Sequence, residues 1–70
     1  MSEVHSIIFD KSWYNTTQAR DWLKAHGFVP IKRVDETTNF YRYRIRDPKL
    51  FKRFTIKQVA PYIKFVFGWR

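Results

Sequence analysis

Seven consecutive residues, Phe40-Tyr41-Arg42-Tyr43-Arg44-Ile45-Arg46, constrain the fold of this chain more than any other stretch. In an extended strand successive side chains point to opposite faces, so Tyr41, Tyr43 and Ile45 share one side and Arg42, Arg44 and Arg46 the other. Burying an unpaired guanidinium costs on the order of several kcal/mol, so the tyrosine side must face a core and the arginine side must face outward. A strand of this kind needs neighbouring strands beside it and an apolar cover on one side only.

The remaining sequence supplies both. Residues 4–9 are a short apolar run with β-branched members, closed by the polar stretch 10–15, and predict a first strand. Asn15-Thr16-Thr17-Gln18 places a side-chain acceptor three residues before a glutamine, the spacing that satisfies free amides at a helix start. The helix that follows carries Ala19, Trp22, Leu23 and His26 on its inward face and Arg20, Asp21 and Lys24 outward, and Gly27 closes it. Residues 28–36 predict a second strand with Pro30 near its entry, residues 37–39 a turn, and residues 40–46 an antiparallel partner. Asp47-Pro48 caps a short helical turn through Phe51. Residues 53–58 and 62–69 alternate again on either side of Val59-Ala60-Pro61 and predict a closing hairpin. The expected architecture is one α+β domain over residues 1–70, an antiparallel sheet of four to five strands in the order β-α-β-β-β-β with one helix on one face.

Seventy residues suffice for a single core. With no cysteine to staple it, the fourteen aromatic residues must supply the buried area, at little cost in frozen rotors. The lack of cysteine suits a reducing compartment, and the N-terminus shows no signal-peptide pattern, so the expected location is a cell interior, or a virus particle if the chain is viral. No apolar stretch approaches the length of a membrane span, and no membrane partner is expected.

The formal net charge of +8 is unevenly placed. Residues 1–30 hold three basic and three acidic side chains, whereas residues 31–70 hold eleven Lys and Arg against Asp35, Glu36 and Asp47. One surface should therefore be positive and in search of an acidic partner.

Catalytic chemistry finds no foothold in the sequence. His5 and His26 lack metal-ligand spacing, and there is no glycine-rich phosphate loop. Ser6 and Ser12 have no histidine–carboxylate arrangement around them. The expectation is a binding protein with no catalytic residue, metal or cofactor.

When the same facing rule is applied to the last hairpin, Phe54 and Ile56 turn inward with Ile63, Phe65 and Phe67, and Arg53, Thr55, Lys57 and Lys64 turn outward. The open face becomes basic across three strands. Arg42, Arg44, Arg46, Arg53, Lys57 and Lys64 are then the candidate phosphate contacts, with Phe40 on the same face and Trp13, Tyr14 or Trp69 at its rim as surfaces on which bases could stack. The expected function is binding of DNA or RNA with low sequence specificity. The alternative is a protein-interaction or assembly module, or an inhibitor of a host nucleic-acid enzyme, meeting an acidic protein through the same face. The C-terminal run 62–69, apolar on nearly both sides, is either a central strand or an edge that a second copy completes to make a homodimer.

The string Ala19-x-x-Trp22-Leu23-x-x-His26-Gly27-Phe28, followed by Asn39-Phe40-Tyr41-Arg42-Tyr43-Arg44-Ile45-Arg46-Asp47-Pro48-x-x-Phe51, resembles an uncharacterised module of predicted phage and large-virus proteins. The resemblance covers most of the chain. It implies a viral or prophage origin and a role around viral DNA or the particle, and it assigns no role to any residue.

Overall fold

A computed structural model describes residues 2–70. Its elements are β1 (Ser2–Asp10), α1 (Thr16–Ala25), β2 (Asp35–Glu36), β3 (Phe40–Arg44), a single 3₁₀ turn (Pro48–Leu50), β4 (Arg53–Ala60) and β5 (Ile63–Trp69). All five strands join one antiparallel sheet in the order β2-β3-β1-β5-β4, so the N-terminal strand lies at its centre. The chain is an α+β domain with one helix on one face of the sheet.

The helix begins and ends where its local chemistry directs. Asn15 Oδ1 accepts from the Gln18 amide at 2.8 Å, and Gln18 Oε1 accepts from the Asn15 amide at 3.0 Å, which satisfies two donors reciprocally. At the other end Gly27 takes φ 78°. The Gly27 amide donates to Lys24 O, and the Phe28 amide to Leu23 O, the paired bonds that cap a helix through a left-handed residue.

Ala19 and Leu23 press onto Ile7 and Phe9 of β1, Tyr43 of β3 and Ile63 of β5, and these six form the buried centre. Phe9 meets Tyr14, Trp22 and Tyr43 edge-on at centroid distances of 5.2, 5.7 and 5.7 Å. Such geometry adds about 0.5–1.5 kcal/mol per pair beyond the area buried. Burial also holds the Tyr43 hydroxyl above its usual range, with Arg20 opposing the shift.

Three expectations about the elements are corrected. The second strand shrinks from residues 28–36 to Asp35–Glu36, because Pro30 has no amide to donate and Ile31 ties the preceding segment to Arg44 O by a single bond. His26 is exposed as the helix C-cap, outside the inward face. Its ring stacks on Trp22 at 3.9 Å and its Nδ1 lies 2.8 Å from Trp22 O. The C-terminal strand β5 runs between β1 and β4, paired along both edges, so of its two readings the central strand holds and the edge completed by a second copy is closed. The free long edge belongs to β4.

Two bulges set the facing of everything else. In β1, Val4 pairs with Phe67 and Ser6 with the adjacent Val66, so His5 is an extra residue. In β4, Ala60 pairs with Ile63 but Gln58 with Lys64, so Val59 is an extra residue. Each bulge reverses the alternation on its far side.

Candidate functional site

The face of the sheet away from α1 can be laid out row by row from the register. One row runs Asp35, Arg42, Ile8, Lys64, Gln58, and the next runs Arg44, Ser6, Val66, Ile56. Phe40 and Asp10 lie beyond the first row, and Phe54 and Gly68 beyond the second. The surface is mixed: cations stand over β3 and β5, and apolar side chains over β1 and β4.

Of the residues expected on this face, Arg42, Arg44, Lys64 and Phe40 are there, with Lys64 Nζ 5.6 Å from the Phe40 ring centre. Arg53 and Lys57 are not. They pair with Trp69 and Phe65 and so point to the helix side of the outermost strand, and the Arg53 guanidinium lies 5.2 Å from the Trp69 ring. Phe54 and Ile56 take the places those cations were expected to fill, exposed by 44% and 64%. The Val59 bulge is the cause, because it shifts β4 by one residue against β5.

Arg46 also leaves the row. The amides of Ile45 and Arg46 both donate to His5 O, which ends β3 at Arg44, and Arg46 lines a separate cavity with Glu3, Phe28 and Ile31. Trp69 lies on the helix side, where its indole donates to Thr55 Oγ1 at 2.9 Å. Tyr14 packs on Phe9 in the core. Trp13 is exposed and stacks on Tyr62 at 4.6 Å. Tyr62 itself joins Phe40, Lys64 and Ile8 around a hollow at the β5 end of the open face.

Among the described residues the ion pairs are Lys11–Glu36 at 3.4 Å and Arg70–Glu3 at 2.9 Å. Arg42, Arg44 and Lys64 take part in neither, although Asp35 stands opposite Arg42 in the register. Their charge is therefore not cancelled by a carboxylate contact on the face that carries it.

His5 is a site residue that the sequence did not reveal. Its bulge turns it onto the open face, where it is 2% exposed and packed against Phe54 at 4.9 Å and Phe51 at 6.0 Å. Phe51 is brought there by the 3₁₀ turn and lies flat over Gly68, leaving no room for a side chain at that position. His5 Nδ1 and Ser6 Oγ share a hydrogen bond of 2.7 Å. His5 Nε2 and Arg42 Nε are buried without a partner, an arrangement that costs about 1–3 kcal/mol for each such atom. Burial first, then the positive charges of Arg42 and Arg44, hold the His5 pKa below the usual histidine range, against a smaller upward pull from Asp47. The ring is therefore neutral at neutral pH. One signal in the sequence pointed this way: Val4, Ile7 and Phe9 are all core-facing types, and their unequal spacing requires an interruption between Val4 and Ile7.

A further cavity, of about 530 Å³, lies on the other side of the sheet between the end of α1 and residues 28–34. Leu23, Phe28 and Val34 wall it, with Arg20, Lys24 and Arg33 among its lining residues. It shares Lys32, Arg33 and Val34 with a hollow that Arg42 and Arg44 line from the other face, and neither His5 nor Arg42, the residues with the unpartnered buried atoms, lines it.

Comparison of the chain with family models, with curated proteins and with solved structures finds no match.

Proposed function

We propose that this domain binds nucleic acid with low sequence specificity through the helix-free face of its sheet. The observation that carries the reading is the grouping of Arg42, Arg44 and Lys64 on one uncovered face, outside either ion pair and beside Phe40 and an apolar floor. Guanidiniums bind phosphate oxygens through two parallel bonds, and flat apolar surfaces accept unpaired bases. Arg46, Arg53 and Lys57 lie off this face and act through the long-range positive field that draws a polyanion in. The domain performs no catalysis in this reading and needs no metal or cofactor.

The test is fluorescence anisotropy with labelled DNA and RNA over a salt series, for the wild type and an Arg42→Ala/Arg44→Ala variant shown to be folded by circular dichroism. Affinity falling with log salt at a slope of about −2 to −4, and a shallower slope in the variant, is the expected result for a few phosphate contacts. Absence of binding by the wild type at low salt overturns the reading.

A second reading has its own support. Strand β4 is eight residues long, borders the sheet, and exposes Phe54, Ile56 and Val59. An edge of that kind suits strand addition by a protein partner, as in an assembly module or an inhibitor of a host nucleic-acid enzyme. Binding to an acidic protein without binding to polynucleotide would favour it. The phage or viral setting rests on the resemblance of residues 19–51 alone and is compatible with either reading.

A further inference from the structure

Phosphate binding by Arg42, Arg44 and Lys64 leaves the apolar half of the open face without a role. That half is not flat. His5, Ile8, Arg42, Arg44, Phe54 and Ile56 help to line a concavity of about 330 Å³, at the low end of the roughly 300–1,000 Å³ common for small-molecule sites.

We propose that this concavity seats one unpaired base of a bound single strand, with the adjoining phosphates on Arg42 and Arg44. The inference rests on the nucleic-acid reading and adds which form of nucleic acid is bound. Three features converge on the seat. Its floor is apolar and partly aromatic, from Ile8, Ile56, Val66 and Phe54, and offers faces for a base to lie on. Two of its lining residues, His5 and Arg42, each carry a buried polar atom without a partner, Nε2 and Nε. Once a shift of the ring brings Nε2 to the cavity surface, a neutral imidazole can offer a donor or an acceptor, according to the direction of its bond to Ser6 Oγ, and a base edge carries groups of both kinds. Finally, Arg42 and Arg44 bring positive charge to the same lining, where a phosphate attached to a seated base would lie.

A duplex presents its phosphates but keeps its bases stacked inside, so only single strands gain from the seat. The neighbouring hollow around Phe40, Lys64 and Tyr62 shares Ile8 with this one, which continues the track for the strand along the same face.

The experiment compares a short single strand with the duplex made from it, by anisotropy at fixed salt, for the wild type and Ile56→Ser. Ile56 is 64% exposed, so the substitution leaves folding intact. The single strand should bind about tenfold more tightly than the duplex, and Ile56→Ser should lose about that factor for the single strand alone, with the salt slope unchanged. In parallel, the ¹⁵N resonances of the His5 ring should shift on addition of a nucleoside monophosphate but not of inorganic phosphate. Equal affinity for both forms, unaltered by Ile56→Ser, removes the seat and leaves the phosphate contacts standing. A His5 response to phosphate alone overturns the seat in favour of a bare anion site. No binding to any polynucleotide overturns the seat together with the reading beneath it.

Discussion

Strands β3 and β4 have similar sequences, with cations alternating with apolar residues, yet they stand in opposite relations to the helix. In β3 the tyrosines face α1 and Tyr43 is buried. In β4 the apolar Phe54 and Ile56 face away from the helix, and Arg53, Thr55 and Lys57 lie on its side of the sheet. The difference is one of reach. A ten-residue helix is about 15 Å long, and it packs over β3, β1 and β5, whereas β4 lies outside them. Burial dictates facing only where there is something to be buried under. Beyond the edge of the helix, turn geometry decides.

That contrast can be broken experimentally, and the largest effect should come from the covered side. Leu23→Ala removes a 1% exposed side chain from the six-residue centre and should cost about 2–5 kcal/mol. Ile56→Ala on the uncovered side should stay within about 0.5 kcal/mol, the range of ordinary surface changes. Urea unfolding of the two variants measures both; similar losses would mean that β4 is buried in solution and the comparison is wrong.

An intermediate effect tests the one part of the open face that has a cover of its own. Gly68→Ala drives a methyl group into steric clash with the Phe51 ring and should push Phe51 off the end of the sheet. A loss of about 1–3 kcal/mol is expected from such overpacking. The same displacement should broaden or shift the ring resonances of His5 and Phe54, its two aromatic neighbours.

The smallest effect is a pH dependence. A histidine whose folded pKa lies below its unfolded value of 6.5 contributes stability that is fully present above 6.5 and declines as pH falls through the folded value, because the unfolded chain takes up the proton first. Between those two values the wild type should lose stability relative to His5→Phe, whose aromatic ring fits between Phe51 and Phe54 and carries no titrating group. Parallel pH profiles for the two proteins would place the His5 ring in water.

Much of this was legible from local chemistry. Asn15 and Gln18 announced the helix start, Gly27 its end, and Asp47-Pro48 the 3₁₀ turn, since each feature depends on residues close in sequence. The alternation of β3 was equally clear from Phe40 to Arg44. In the final hairpin the facing of β5 was legible, with Ile63, Phe65 and Phe67 toward the helix and Lys64 away, but that of β4 was not, because it hinges on one extra residue. With a plain two-residue turn at Pro61-Tyr62, Phe54 would oppose Trp69 and Ile56 would oppose Phe67, on the helix side. A proline-first turn with its second residue left-handed, as Tyr62 is at φ 67°, lacks the twist that suits a tight hairpin. The bulge at Val59 follows it and moves every side chain of β4 before it to the other face.

The sequence by itself determined the α+β composition, the single helix with its caps, the placement of Arg42 and Arg44 on the face away from the helix, and the excess of positive charge in residues 31–70. Each follows from propensity, periodicity or the cost of burying charge, which act over a few residues. Only the tertiary structure decided that β1 lies in the middle, that β4 is the free edge, and that His5, Phe54 and Ile56 gather beside the arginines. Those outcomes depend on pairing register, and a single bulge changes register without leaving a decisive mark on composition or period.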